Sequence, residues 1–199
     1  ALDRVRTRRT EVGLHLTSEH SDILEEVESQ LSSIDASIED GELSLAMGGL
    51  ESISRRLHNR SESRRSFEQS IRQKGMIKSR FPLSDKSGFE DRLEKSILLS
   101  NEGLWIQADA ELKSIIRDLD SVDAIRKDTG ELLEFLEGEW KSLRKKLESS
   151  GIKSDNPSRR LAEKHITVAR ENFESDSLQA SRNNMGSADE AMESLRRLL

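Results

Sequence analysis

Apolar residues recur at intervals of three and four along most of this chain, and one such stretch occurs twice. Residues 41–57 and 103–119 each begin with a glycine and then carry apolar side chains at the same five offsets. These side chains are Leu43, Ala46, Leu50, Ile53 and Leu57 in the first copy and Trp105, Ala108, Leu112, Ile115 and Leu119 in the second. Such spacing puts one row on one helix face, and glycine commonly follows a helix end. The repeated stretch therefore predicts a turn followed by an amphipathic helix, as in a helical hairpin.

The same spacing predicts short helices that alternate with long ones. The predicted helices are 1–13, 19–38, 42–74, 87–101, 104–149, 157–174 and 177–199. Gly13, Gly75 and Gly151 are each followed by an apolar residue and a capping residue, which predicts a helix end at each glycine. From Gly41 to Gly75 is 34 residues and from Gly103 to Gly151 is 48, so the second long helix is longer by two heptads. Two heptads lengthen a helix without rotating its apolar row.

These helices predict a chain built from similar units. Residues 1–13 would end a preceding helical unit, and residues 14–75, 76–151 and 152–199 would form three hairpin units, the third truncated. The chain begins with Ala1 rather than methionine, so we expect a segment of a larger protein. The predicted fold class is all-α, with tandem helical hairpins in an elongated antiparallel bundle or coiled-coil-like rod. A compact bundle is the alternative, if the long helix bends at Thr129 and Gly130.

The pattern Gly-Leu-Trp-x-x-Ala-x-x-x-Leu at 103–112 resembles a tetratricopeptide-type hairpin, and the long helices shared between units are similar to those of spectrin repeats. The resemblance covers about ten residues per unit. The periods of 62 and 76 residues fit neither family's repeat length. The resemblance therefore implies no function for this chain.

Composition limits what the helices can bury. Only 33% of the residues are hydrophobic and 35% are charged, which favours helices that each bury a narrow row over a thick globular core. There is no cysteine, which excludes disulfides and cysteine-ligated metals. No apolar run approaches the roughly 18 to 20 residues of a membrane span, and no signal peptide is visible. We expect an intracellular, cytoplasmic location.

Two features interrupt the regular pattern. Gly48 and Gly49 lie inside the first long helix, where they predict a close approach of another helix. Arg126 replaces an apolar residue in the row of the second long helix.

Charge is divided unevenly along the chain. No lysine or arginine lies between Arg9 and Arg55, whereas residues 55–80 carry nine basic and two acidic residues. The simplest interpretation is that the acidic helix 19–38 pairs with the basic helix 42–74. Alternatively, surplus arginines contact an anionic partner, either nucleic acid or an acidic protein surface. The candidate contacts are Arg55, Arg56, Arg60, Arg64, Arg65 and Arg72. The net charge of −6 and the scarcity of aromatic residues among them, with only Phe67, disfavour nucleic acid.

Two arginines and two tryptophans occupy positions in the apolar rows. Arg60 and Arg64 continue the row of Leu57, and a charge there requires a partner or sets the helix register. We expect one of them to meet Glu102 or the end of helix 87–101. Trp105 and Trp140 are predicted to anchor packing or to contact a partner.

The chain lacks the residue patterns of an enzyme. It has no dinucleotide-binding, phosphate-binding or nucleophile motif, and no cofactor is predicted. The histidines are His15, His20, His58 and His165. His15 and His20, with Glu19 and Asp22 nearby, are five residues apart, so their rings point away from each other on a helix and no metal site is predicted.

The sequence thus predicts a non-enzymatic structural or scaffolding helical-repeat segment. It would act as a spacer and protein–protein interaction module for partners that the residues do not identify. Self-association through helix 104–149 is compatible with this interpretation. The alternative is an anion- or nucleic-acid-binding helical module that uses the arginine-rich stretch 55–80.

Overall fold

A computed structural model describes residues 1–14, 16 and 23–199, and this part of the chain contains helices and no strand. This part holds eight α-helices, and a short 3-10 turn lies at Leu83–Asp85. The α-helices are α1 (Leu2–Leu14), α2 (Leu24–Glu39), α3 (Leu43–Ile71), α4 (Lys74–Ser79), α5 (Lys86–Asn101), α6 (Trp105–Ser149), α7 (Pro157–Glu174) and α8 (Leu178–Arg196). The all-α prediction is confirmed. None of these helices is both long and apolar enough to cross a lipid bilayer.

The later helices begin and end close to their predicted bounds, whereas two predicted helix ends are wrong. Gly13 lies inside α1, which ends at Leu14. Gly75 lies inside α4, because α3 ends at Ile71 and the chain turns at residues 72–73 before it becomes helical again. A glycine permits a left-handed turn but does not require one. Of the predicted helix 19–38, residues 19–22 lie outside the described part of the chain.

Glycine ends a helix at three other positions, where the backbone is left-handed. Gly41, Gly103 and Gly151 have φ angles of 78°, 75° and 78°. In each case the next residue donates its N–H to a carbonyl five residues back, over 2.9 Å to Ser37, 2.9 Å to Leu99 and 3.0 Å to Leu147. This is the Schellman arrangement, which satisfies carbonyls that a helix end leaves open. The repeated glycine in the sequence therefore marks a helix end in both copies.

A fourth helix end has the same geometry without glycine. α7 is closed by Asp176, which has a φ of 58°, and by a 2.8 Å bond from the Ser177 N–H to the Asn172 carbonyl. The buried Asp176 carboxylate accepts the Leu83 N–H at 3.0 Å and lies 2.7 Å from the Arg126 guanidinium. A left-handed residue with a Cβ is strained by about 1 kcal/mol, and these two contacts offset that strain. They also explain why Arg126 interrupts the apolar row of α6.

The chain divides into two compact units. Unit 1 comprises Ala1–Gly75 and Asp91–Ser114. In unit 1, α1 and α2 pack on α3 and on each other around one apolar core. The buried core residues are Val5, Val12, Val27, Leu31, Ile34, Ala46, Leu50, Ile53 and Leu57. A Cβ on Gly49 would lie 2.9 Å from Ile34, whereas one on Gly48 would meet open space. The predicted close approach is therefore confirmed for Gly49 and wrong for Gly48.

Unit 2 comprises Met76–Glu90 and Ile115–Leu199, and its core lies between α6, α7 and α8. The buried residues are Leu133, Leu136, Trp140, Leu143, Leu147, Ala162, Ile166, Ala169, Met185, Ala188, Ala191, Met192 and Leu195. α6 continues without a break through Gly130, where a Cβ would lie 3.2 Å from the Phe173 ring. Gly130 thus permits close packing of Phe173, and the helix is not interrupted there.

Replacing Asp176 should separate the turn from its side-chain contacts. Asp176→Gly keeps the left-handed backbone and removes the acceptor of the Leu83 N–H and the partner of Arg126. Because bonds to a buried charge outweigh the relief of backbone strain, we expect the free energy of unfolding to fall by about 1–2 kcal/mol in urea titrations. Asp155→Gly, in the exposed turn before α7, is the control and should change it by less than about 0.5 kcal/mol. Equal or greater stability of Asp176→Gly would mean that the turn geometry alone matters.

Candidate protein-interaction surface

The candidate arginines, five of them in α3 and Arg72 just beyond its end, lie on two different sides of the helix axis. Arg56, Arg60 and Arg64 follow one another at intervals of four, so they form one row. Arg60 is buried and the other two are half-buried. Arg55, Arg65 and Arg72 are exposed and lie within about 100° of one another around the helix axis. The inward row is bound within unit 1, and the second row is exposed to solvent.

The first arginine of the inward row pairs with α2. The Arg56 guanidinium donates two hydrogen bonds to the Glu26 carboxylate, at 2.8 and 2.6 Å. These hydrogen bonds lower the pKa of the Glu26 carboxyl below its ordinary value and raise the pKa of the Arg56 guanidinium. Both groups therefore stay ionised at neutral pH, and each neutralises the other. This ion pair agrees with the interpretation that the acidic helix pairs with the basic one.

The second and third arginines meet the turn between α5 and α6. Arg60 Nη1 donates a 2.7 Å hydrogen bond to the carbonyl of Gly103, two residues beyond the end of α5. This contact agrees with the expectation that Arg60 meets the end of that helix. The Arg64 guanidinium lies over the Trp105 ring, with Cζ 5.2 Å from the ring centroid, and its Nε donates to Glu68 at 2.8 Å. Arginine charge is thus used to hold the start of α6 against α3.

The two tryptophans have different surroundings. Trp140 is buried in the core of unit 2. Trp105 is half-buried in unit 1, and its ring meets the buried Phe67 ring edge-on at 6.2 Å between centroids. Trp140 therefore serves packing, while Trp105 packs on one side and leaves part of its ring accessible.

A groove of about 310 Å³ lies beside Trp105. The described residues that line it are Ile23, Glu26, Arg56, Arg60, Leu104, Trp105, Ile106 and Gln107. Leu104 and Ile106 flank the tryptophan with 39% and 50% of their surface exposed. Because Glu26 and Arg56 neutralise each other, this ion pair adds no net charge to the apolar surface of the groove. We call this set of residues the Trp105 groove.

Sequence reasoning identified three residues of the Trp105 groove and missed the others. Arg56, Arg60 and Trp105 were candidates by residue type, whereas Leu104 and Ile106 were not. The available signal is the run Leu104-Trp105-Ile106, because three consecutive apolar residues at a helix start exceed the width of one buried row.

The outward row has a different character. Arg55, Arg65 and Arg72 share their exposed face with His58 and Glu62, which lie 3.4 Å apart. The face therefore mixes charges of both signs.

Histidine and carboxylate side chains do not form a metal site in the part of the chain that the structure describes. No group of three or more of them is arranged to hold an ion there. His15, Glu19, His20 and Asp22 lie outside the described residues. His165 contacts the Asn184 side chain at 3.0 Å.

Comparisons of the chain with models of known protein families, with curated proteins and with solved structures found no match. The functional interpretation therefore rests on the contacts made by this chain's own residues.

Arg60 and Arg55 provide a matched pair of substitutions. Arg60→Met keeps much of the buried stem and removes the hydrogen bond to Gly103, so we expect the free energy of unfolding to fall by about 1.5–3 kcal/mol. Arg55→Met removes an exposed charge from the same helix and should change it by less than about 0.5 kcal/mol. Urea titrations followed by circular dichroism would measure both values. If Arg60→Met stabilised the protein and left its assembly unchanged, a structural role for this arginine would be contradicted. A buried charge that does not hold a turn or a helix in place can be replaced by an apolar side chain without loss of stability.

Proposed function

We propose that this chain is a non-enzymatic scaffolding segment of a larger protein that binds another protein through the Trp105 groove. The observation that carries the proposal is the half-buried Trp105 between two exposed apolar residues, Leu104 and Ile106. A tryptophan fixed in place on one side and accessible on the other is typical of an interface anchor, because little side-chain entropy is lost on binding.

The groove favours an apolar side chain from a protein partner. Its volume of about 310 Å³ suits one or two large side chains. The charges of Glu26 and Arg56 are already satisfied by each other, and Arg60 is bound to the Gly103 carbonyl. A partner would therefore gain by covering apolar surface rather than by supplying a counter-charge.

The proposal includes a spacer role, in which tandem hairpins form an elongated, coiled-coil-like rod. The 45-residue length of α6 supports it, because a helix of that size extends for about 68 Å at 1.5 Å per residue. Its residues 105–114 belong to unit 1 and its residues 115–149 to unit 2.

Small-angle X-ray scattering with light-scattering mass tests the spacer role. A compact chain of this length has a radius of gyration of about 16 Å. A monomeric rod should give a value well above that. A monomer close to 16 Å would contradict the spacer role and leave the groove to be tested by itself.

Binding through the Trp105 groove can be tested with a double substitution. In affinity capture from the cells that produce the protein, Leu104→Asp with Ile106→Asp should lose a partner that the wild-type chain retains, because carboxylates would replace the apolar rim. Leu45→Asp with Leu98→Asp is the matched control, since both leucines are exposed in unit 1 and do not line the groove. Equal capture by the two double variants would place the docking surface elsewhere and contradict the proposal.

Direct binding then separates the groove from the arginine-rich alternative. In a Trp140→Phe background, the purified partner should shift the Trp105 emission to shorter wavelength, because binding covers the ring. Labelled DNA and RNA of 20 nucleotides provide the other arm of the test. Tight binding of either nucleic acid that weakens steeply with salt would favour the nucleic-acid alternative instead, provided that a triple variant loses it. The triple variant combines Arg55→Gln, Arg65→Gln and Arg72→Gln.

A further inference from the structure

A second apolar surface lies on α6, in unit 2, beside its buried row. Phe135 has 69% of its surface exposed, Leu132 53% and Ile125 44%. Intervals of seven and three place these three side chains within about 80° of one another around the helix axis. We call them the Phe135 patch. Leu132 lies about one turn before the buried Leu136 and therefore borders the buried row, whereas Phe135 projects farther from that row.

The core of unit 2 does not require the Phe135 patch. The buried row of α6 from Leu133 to Leu147 already packs against α7 and α8 in a continuous apolar cluster. Isolated exposed leucines are common on protein surfaces, but an exposed phenylalanine with neighbouring apolar side chains marks a contact surface more often. The patch is therefore surface that the fold leaves available.

The charges next to the patch are mostly negative. Asp128, Glu131 and Glu134 are exposed on the same stretch of α6, against a single lysine, Lys127, which lies 3.9 Å from Glu131. The arginines nearby are already bound. Arg126 pairs with the buried Asp176 and Arg170 with Glu137. Arg80 pairs with Asp120 and Asp123, and Arg182 donates to the Thr129 hydroxyl. The surface around the patch thus has an excess of carboxylates.

We propose that the Phe135 patch binds an amphipathic helix from another protein, with leucine-like side chains on one face and lysine or arginine along its edges. The apolar face would cover Phe135, Leu132 and Ile125, which extend over about 15 Å of α6, or roughly three helical turns. The basic edges would meet Asp128, Glu131 and Glu134. Such complementary charges raise the association rate and set the orientation of the partner. This surface is separate from the Trp105 groove, and either proposal can fail without the other.

A fluorescent 18-residue peptide of alternating leucine and lysine groups, designed as an amphipathic helix, is the probe. Its anisotropy is titrated with the full chain at low salt. Phe135→Ser with Leu132→Ser should weaken binding by about tenfold or more, because truncation removes two of the three apolar anchors. Leu83→Ser with Leu161→Ser is the control in the same unit, since both leucines are exposed outside the patch, and should leave the affinity within about twofold.

Two further measurements test the charge argument. Glu131→Lys with Glu134→Lys should weaken binding of the same peptide by about tenfold without changing the apolar residues. A peptide in which glutamate replaces every lysine should bind the wild-type chain at least about tenfold more weakly. Circular dichroism checks that each variant remains folded.

Several outcomes would overturn the proposal. One is binding that does not respond to Phe135→Ser with Leu132→Ser, and another is equal affinity for the acidic and the basic peptide. Absence of peptide binding would also overturn it. Sedimentation that shows a dimer of the wild-type chain, dissociated by the same double substitution, would assign the patch to a second copy of the chain instead.

Discussion

Each helix of this chain can bury only one narrow row of apolar side chains, and the rest of the structure follows from that constraint. A helix of this kind is stable only when neighbouring helices cover its row. In unit 1, α3 is covered by α1 and α2, and in unit 2 the row of α6 is covered by α7 and α8. A chain with 33% hydrophobic residues satisfies the constraint with paired helices rather than with one thick core.

Charged side chains complete the packing where the apolar rows end. Arg60 binds the carbonyl of Gly103, and the buried Arg159 binds the carbonyl of Ile152 at 3.3 Å. The buried Asp176 accepts the N–H of Leu83. Each of these side chains satisfies a backbone group at or next to a helix end, where groups lack partners inside the helix. These three buried residues therefore fix turns, and the apolar rows fix which helix faces meet.

The candidate interaction surfaces consist of residues that are needed neither for packing the apolar rows nor for fixing the turns. Leu104 and Ile106 lie outside the buried row that includes Trp105, and Phe135 lies outside the row that includes Trp140. Sequence reasoning found the two tryptophans because large aromatic residues are conspicuous. It did not distinguish the accessible ring from the buried one, because that difference depends on neighbours contributed by other helices. Exposed apolar residues become informative only once the buried rows are known.

The sequence by itself determined where most of the helices lie, which faces they bury and where Gly41, Gly103 and Gly151 end them, although it did not separate α4 from α3. These properties are local, because helical periodicity and a left-handed glycine act within a few residues. Only the tertiary structure decided that Asp176 makes the same turn without glycine, since its partners come from positions 83 and 126. It also divided the arginines of α3 into a bound row and an exposed one. A side chain's partner depends on which distant segment packs beside it, and the residue spacing within a single helix carries no information about that segment.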